Sequence, residues 1–288
     1  MATCGLLGIS RQVYYRNIRS ADRRKATAQQ VVDLIKNIRL QMPRIGTRKL
    51  YYLLQDDLRG LGVGRDLLFR ILKANHLLIV PKRQYHITTN SHHRFRKHKN
   101  LITDVVPNQP EQIWVSDITY VGNRTNPMYL ALVTDAYSKK IMGYDVSDSL
   151  DVKGSIRALK MAIKTRCYKP NVLVHHSDRG LQHCSNQYQD VLKKGKLQCS
   201  MTESYDPYAN AVAERINGIL KAEFIGYNTS HKLSVMQQLI SDSIKIYNTC
   251  RPHYSCFMKT PEQMHQQNEI KIRTYKNKYP SKHVFAGI

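Results

Sequence analysis

The chain has 288 residues and carries 45 lysines and arginines against 21 acidic residues, a formal net charge of +24. This length allows one globular core plus an accessory module. No apolar run approaches the roughly 20 residues of a membrane-spanning helix, and no secretory leader is recognisable. None of the six cysteines forms a C-x-x-C pair, which argues against a zinc finger. We therefore expect a cytoplasmic protein with reduced thiols and no membrane partner.

The charge is unevenly distributed along the chain. Residues 1–100 hold 21 basic and 5 acidic residues, residues 101–230 hold 15 and 13, and residues 231–288 hold 9 and 3. A nearly neutral middle between basic ends indicates a catalytic core with flanking segments that grip a polyanion. A merely soluble basic surface is less favoured, because solubility does not require this asymmetry.

Four segments are predicted on this basis. They are a helical, helix-turn-helix-like DNA-binding region at 1–79, a basic linker at 80–103, an α/β catalytic core at 104–268 and a basic C-terminal tail at 269–288.

Helical patterns dominate the first segment. It opens with a short helix-turn-helix fragment in which Ser10 is the expected N-cap. Three further helices are predicted at 28–39, at 47–54 with Thr47 as its cap, and at 65–76. A glycine-containing loop before a basic helix is typical of a helix-turn-helix. The expected DNA contacts on that helix are Arg65, Arg70 and Lys73. An ordinary three-helix bundle with solvated charges is the alternative.

The linker shows neither helical nor strand periodicity. We expect its basic side chains to lie along phosphates; they include Lys82, Arg83, Arg94, Arg96 and Lys97. His92, His93 and His98 lie among these charges without a partner cysteine, so a solvated linker is favoured over a metal cluster.

The pattern then changes to strands and crossover helices. Strands are predicted at 113–121, 128–135 and 140–146, then a helix at 152–166, a buried strand at 172–175, and helices at 186–193 and 206–224. The order βββαβα followed by helices predicts an α/β fold of the ribonuclease-H-like type.

Three carboxylates stand out within this core. Asp117 lies mid-strand among apolar neighbours, where an unpaired charge costs several kcal/mol. Asp178 follows a strand end within HSDRG, and Glu214 lies on a helix, with 35 residues between the two acids. On that helix Asn210, Glu214, Asn217 and Lys221 form one polar stripe. Three carboxylates suit Mg²⁺ or Mn²⁺, and two such ions about 3.5–4 Å apart support in-line phosphoryl transfer.

Each acid also has a plain structural interpretation: a buried lysine partner, a turn residue, or a surface helix charge. Asp104, Asp135 and Asp145 are competing candidates, and Asp135 is kept as a group that could support a metal ligand. Ser177 is a poor candidate nucleophile because no base is recognisable for it.

Several motifs resemble the catalytic core of DDE transposases and retroviral integrases. They are W-x-x-D-I-T-Y at 114–120, H-S-D-R-G-x-Q at 176–182, N-A-x-A-E-x-x-x-x-x-L-K-x-E at 210–223, and Y-N-x-x-R-P-H at 247–253. Together with I-G-T-R-K-L at 45–50 they are most similar to the second-frame proteins of insertion sequences of the IS-three family. The resemblance covers nearly the whole chain. His183 departs from it by replacing an aromatic residue, Ala209 by replacing an aspartate, and Cys256 by replacing a leucine.

The resemblance implies a polynucleotidyl transferase that cuts DNA at insertion-sequence ends and joins the freed 3′-hydroxyl to another phosphodiester. It implies Asp117, Asp178 and Glu214 as catalytic metal ligands for two Mg²⁺ or Mn²⁺ ions. Lys221 is the implied contact to terminal DNA, with Asn210, Asn217 and Arg251 as further candidates. Expected partners are element ends and target DNA, other copies of the chain, and a first-frame protein or fusion.

Two alternatives remain open from the residues. One is a ribonuclease-H-like, metal-dependent nuclease that cleaves without joining. The other is a catalytically silent DNA-binding regulator, against which the intact set of acids argues.

Overall fold

The computed structural model describes residues 8, 10–80, 98–103, 105–122, 126–169, 172–202, 210–226 and 232–272. The chain divides into two compact units. The first comprises Met1–Tyr85 with Ile219–Asn228, and the second His86–Gly218 with Thr229–Ile288. Residues 219–228 therefore group with the N-terminal unit although they fall inside the predicted core segment; the four predicted boundaries stay predictions. Within the described ranges, no helix combines the length and apolarity needed to cross a membrane.

The described part of the first unit contains four α-helices from the N-terminal region. They are α1 (Arg11–Gln41), α2 (Thr47–Leu53), α3 (Gln55–Gly60) and α4 (Arg65–Ala74). Ser10 caps α1 as predicted, its Oγ accepting from the Val13 amide at 3.3 Å. Gly46, and not Thr47, is the N-cap of α2.

The long helix α1 corrects the predicted short fragment followed by a helix at 28–39. It runs unbroken for 31 residues, and no glycine or proline lies between Arg11 and Gln41 to end it. Its N-terminal half is charged and largely exposed, so it lacks the apolar repeat that predicted a helix at 28–39. Its C-terminal half buries Val31, Val32 and Ile35 in the core of this unit.

The second unit is built on a mixed five-stranded sheet. Its strands are β1 (Ile113–Gly122), β2 (Pro127–Asp135), β3 (Ile141–Ser147), β4 (Val174–Ser177) and β5 (Gln198–Met201). The strand order is β3-β2-β1-β4-β5; the first three strands are antiparallel, whereas β4 is parallel to β1 and β5 to β4. This topology confirms the ribonuclease-H-like prediction. The prediction lacked β5, which has only four residues.

Six α-helices accompany the sheet in the described part of this unit. They are α5 (Val152–Lys164), α6 (Leu181–Cys184), α7 (Asn186–Lys194), α8 (Ala211–Ile219), α9 (Leu233–Thr249) and α10 (Pro261–His265). A π-helical turn, Leu220–Ile225, follows α8. The predicted helix at 206–224 is therefore α-helical only to Ile219, and residues 206–209 lie outside the described residues.

One face of the sheet packs on the crossover helix α5. The core there contains Trp114 and Leu173 from the sheet, Leu159 from α5, and Tyr188 and Leu192 from α7, all almost fully buried. Burying side chains of this size is the main stabilising contribution available to the unit.

Gly143 allows α5 to approach β3 closely. A Cβ atom at this position would lie 2.0 Å from the Ala158 carbonyl oxygen and 2.7 Å from the Ala162 amide nitrogen. Both are backbone atoms of α5, so a side chain cannot be accommodated by a rotamer change. The contact fixes the distance between the helix and the sheet.

We predict that Gly143→Ala destabilises the protein by about 3 kcal/mol, because it forces α5 away from the sheet. Chemical denaturation would measure this as a lower midpoint. The matched control is Gly218→Ala, since a Cβ there meets no atom within 4 Å and alanine favours a helix by up to about 1 kcal/mol. Equal stability of the Gly143→Ala protein and the wild type would contradict the close-approach argument.

Candidate active site

The two aspartates are brought level by the parallel pairing of β1 and β4. Ser116 and Ser177 are register partners in this ladder. Asp117 and Asp178 are the next residues along the two adjacent strands, β4 ending at Ser177. Ligands in α/β folds gather at strand ends of this kind.

Asp117 is half-buried, and each of its oxygens accepts a hydrogen bond. Oδ1 accepts from the Ile118 amide at 2.9 Å, and Oδ2 accepts from Asn217 Nδ2 at 2.7 Å. Burial, followed by the negative charge of Asp178, raises the pKa of Asp117 to about 7, despite the opposing bond from Asn217. The carboxylate is therefore held in place but costly to ionise without a cation.

Asp178 is oriented by its own loop. Its Oδ1 accepts from the Gly180 amide at 3.1 Å and from His183 Nδ1 at 2.9 Å. The His183 side chain is only 3% exposed, and its ring packs edge-on against Tyr188 with centroids 5.3 Å apart. The imidazole is thus fixed by packing on one side and holds the carboxylate on the other.

Glu214 lies in the first turn of α8 and is exposed. Partial burial and the charge of Asp178 raise its pKa. Asp178 therefore repels both Asp117 and Glu214, which indicates that the three acids share one electrostatic environment. A divalent cation would turn this repulsion into attraction, since three hard oxygen donors are the ligand set that Mg²⁺ and Mn²⁺ prefer.

The two asparagines of the predicted polar stripe face β1 more than solvent. Asn210 is 7% exposed and donates from Nδ2 to the Ser116 carbonyl at 3.1 Å; Asn217 is 4% exposed and bonds Asp117. Among the described residues, the Oδ1 atoms of both asparagines lack a hydrogen-bond partner. This geometry favours positioning of β1 over direct DNA contact, which for these two residues stays a prediction.

The other predicted DNA-binding residues lie in four different parts of the chain. Arg65, Arg70 and Lys73 are exposed on α4 of the first unit, and Lys221 is half-buried in the π-helical turn. Arg251 is 2% exposed, lies over the Tyr247 ring at 5.6 Å and donates to the Pro252 carbonyl, so the fold encloses it. The expected linker contacts lie outside the described residues: Lys82, Arg83, Arg94, Arg96 and Lys97.

The competing acid Asp135 belongs to a hydrogen-bond network with Glu111 and Ser138. Its register partner on β1 is Trp114, whereas Asp117 pairs with Leu132. The fully buried carboxylate accepts from the Glu111 amide and from the Ser138 amide and hydroxyl, each at 2.7 Å. Support of a catalytic ligand by Asp135 is therefore not favoured. Ser177 is 1% exposed, which argues against its use as a nucleophile.

Two supporting residues, His175 and His183, escaped the sequence prediction. His175 is fully buried, and burial lowers its pKa to about 3, so the ring is neutral. Its Nε2 lies 2.7 Å from Ser116 Oγ and 3.0 Å from the Tyr188 hydroxyl, which joins β1, β4 and α7. His183 was noticed only as a replacement of an aromatic residue. A polar side chain at that position was the available signal for its contact with Asp178.

The raised pKa of Asp117 predicts a specific pH dependence of stability in metal-free protein. The folded state binds this proton more tightly than the unfolded chain, so the free energy of unfolding falls as pH rises from about 4 to about 7 and then levels off. Asp117→Asn removes this loss and should be more stable than wild type by roughly 2–4 kcal/mol at pH 8. Denaturation in EDTA at several pH values measures the difference. A pH-independent difference would contradict the assigned cause, and added Mn²⁺ should stabilise only the wild type.

Comparisons with known proteins identify relatives of this chain. Two integrase core domain families match residues 107–207 and 195–261. The chain is 32% identical over 255 residues to the insertion element IS600 uncharacterized 31 kDa protein of Shigella sonnei, covering 87% of this chain and 92% of that protein. It is 32% identical over 219 residues to the transposase InsF for insertion sequence IS3fB of Escherichia coli strain K12, covering 75% and 76%.

A solved structure also shows similarity. The HTLV-2 integrase catalytic core domain in complex with magnesium superposes with a TM-score of 0.44 at 20% identity, covering 55% of this chain and 97% of that one. The sequence relationships carry the assignment, and they extend across most of both chains. The chain belongs to the DDE transposases of the IS-three (IS3) family of insertion sequences.

Proposed function

We propose that this chain cleaves DNA at the ends of an insertion sequence and transfers the freed 3′-hydroxyl to target DNA. The observation that carries the proposal is the parallel register of β1 and β4, which places Asp117 and Asp178 level on adjacent strands; the raised pKa values of Asp117 and Glu214 near Asp178 support it. Such a cluster of like charges is stable at neutral pH when cations occupy it. A regulator without catalysis would have no need to maintain it.

The three acids would hold two Mg²⁺ or Mn²⁺ ions. When bound, the ions activate the attacking oxygen and stabilise the leaving oxygen of an in-line displacement. The protein's own contribution is orientation. Asn217 fixes Oδ2 of Asp117 and His183 fixes Oδ1 of Asp178, while Asn210 anchors the start of α8 to β1. Prepositioned ligands reduce the reorganisation needed when the phosphodiester arrives.

DNA binding is proposed to use basic residues outside this cluster. The exposed side chains of α4 and the linker residues would contact phosphates, and Lys221 would contact the terminal DNA as a point charge. Partners would be both element ends, target DNA, further copies of the chain and a first-frame protein or fusion. These partners imply a cytoplasmic, nucleoid-associated protein.

The central test is strand transfer with a labelled terminal oligonucleotide, a target plasmid and Mg²⁺. Asp117→Asn, Asp178→Asn and Glu214→Gln should each lower cleavage and joining at least about 1,000-fold while DNA binding persists. Asp190→Asn is the matched control, because Asp190 is exposed on α7. Near-normal joining by any of the three variants would remove that residue from the site. Cleavage without joining by the wild type would favour the nuclease alternative.

The contact between His183 and Asp178 predicts a separate effect. His183→Phe keeps the packing against Tyr188 but removes the donor, so it should lower activity about 10- to 100-fold and raise the Mg²⁺ concentration needed. His183→Asn restores a donor near the position of Nδ1 and should recover much of the loss. Measuring joining activity as a function of Mg²⁺ concentration distinguishes the His183→Phe and His183→Asn variants. If His183→Phe kept wild-type joining activity at every Mg²⁺ concentration, His183 would have only a packing role.

A further inference from the structure

A second group of potential metal ligands lies away from the candidate active site. Glu111 precedes β1, Cys167 follows α5, and His265 is the last residue of α10. One ligand atom from each lies within 4.8 Å of the other two. We refer to these residues as the Glu111–Cys167–His265 cluster. It shares no residue with the catalytic acids.

His265 is held as a metal-binding histidine is usually held. Its Nδ1 lies 3.0 Å from Ser138 Oγ, which in turn bonds the Asp135 carboxylate. Tyr168 packs edge-on against the ring and donates its hydroxyl to the His265 carbonyl at 2.9 Å. The side chain is 2% exposed, and its Nε2 makes no hydrogen bond within the described residues. One nitrogen is thus fixed and the other is buried and available.

Glu111 directs its Oε1 atom, which accepts a hydrogen bond from the Cys167 amide, towards Nε2 of His265. The residue is fully buried and has φ of +56°, an uncommon conformation for a side-chain-bearing residue. Oε2 accepts from the Tyr168 amide at 2.9 Å and from Arg166 Nε at 3.2 Å, whereas Oε1 accepts from the Cys167 amide at 2.7 Å. Since a carboxylate oxygen accepts about two bonds, Oε1 retains one position.

The distance between Oε1 and Nε2 is 3.5 Å. This exceeds the usual hydrogen-bond length of about 2.9 Å. It is close to the roughly 3.3 Å that separates two ligands of a tetrahedral zinc ion whose bonds are about 2.0 Å. Cys167 is exposed, so an ion would reach the cluster from its side.

We propose that the Glu111–Cys167–His265 cluster binds Zn²⁺ through Oε1, Sγ and Nε2, with water as the fourth ligand. Thiolate, imidazole and carboxylate together form a zinc ligand set, in contrast to the all-oxygen set of the catalytic acids. Binding releases the thiol proton to solvent. The ion would tie together three segments separated by 56 and 98 residues of sequence and so stabilise the second unit.

Cobalt titration of the full chain tests the site directly. Co²⁺ bound to a thiolate gives a near-ultraviolet charge-transfer band, and added Zn²⁺ should abolish it. Cys167→Ser should eliminate the band, and His265→Gln should lower cobalt affinity at least about 10-fold. The double variant Asp117→Asn/Asp178→Asn should keep the band, so failure here is separable from failure of the proposed catalysis. Cys250→Ser, at a half-buried free cysteine outside the cluster, is the matched control.

Thermal unfolding provides a second measurement that does not depend on the cobalt absorption band. Zn²⁺ should raise the Tm of the wild type and of Cys250→Ser but not that of Cys167→Ser. Because Cys167 is exposed, its replacement by serine should leave the fold intact. No thiolate band, or the same band in Cys167→Ser, would overturn the proposal. Equal zinc stoichiometry and equal Tm shifts in the wild type and Cys167→Ser would also overturn it, because zinc would then bind without the Cys167 thiolate.

Discussion

The parallel pairing of β1 with β4 is the constraint on which the candidate active site depends. Because Ser116 and Ser177 are register partners, the residues that follow them are level on adjacent strands. A shift of one residue would exchange the faces of these side chains and separate Asp117 from Asp178. The crossover helix α5 makes this parallel pairing possible, and its close contact with Gly143 fixes its distance from the sheet. Packing on one face of the sheet thus determines geometry at the strand ends.

Around the acids, the fold places donors where they orient the carboxylates without neutralising them. Asn217 lies on α8 and His183 on α6, and each bonds one aspartate. The neutral ring of His175 connects the strands to α7. Repulsion between the acids persists in this arrangement. The protein therefore stores an unfavourable charge cluster that bound cations would relieve.

The sequence was sufficient to predict most of this architecture, for identifiable physical reasons. Strands β1 to β3 and helices α5 and α7 have strong periodicity, and the three acids have unusual surroundings or motif spacing. Features that depend on tertiary contacts could not be read in the same way. The four-residue β5 has too little pattern of its own, and the charged, solvated half of α1 lacks the apolar repeat of its C-terminal half. The polar stripe of α8 was interpreted as DNA-facing, since periodicity shows which residues share a face but not what that face contacts. The burial of Arg251 and the contact of His183 with Asp178 likewise depend on tertiary contacts, which the sequence pattern does not show.

Trp114 has a consequence for how the two units can be observed. It is the chain's single tryptophan, fully buried on β1 in the core against α5, and the helical N-terminal region has none. Tryptophan fluorescence therefore reports the packing of the second unit alone, while helical circular dichroism includes both units. Comparing the two signals during denaturation would reveal whether the helical unit and the sheet unit unfold together or as separate cooperative blocks.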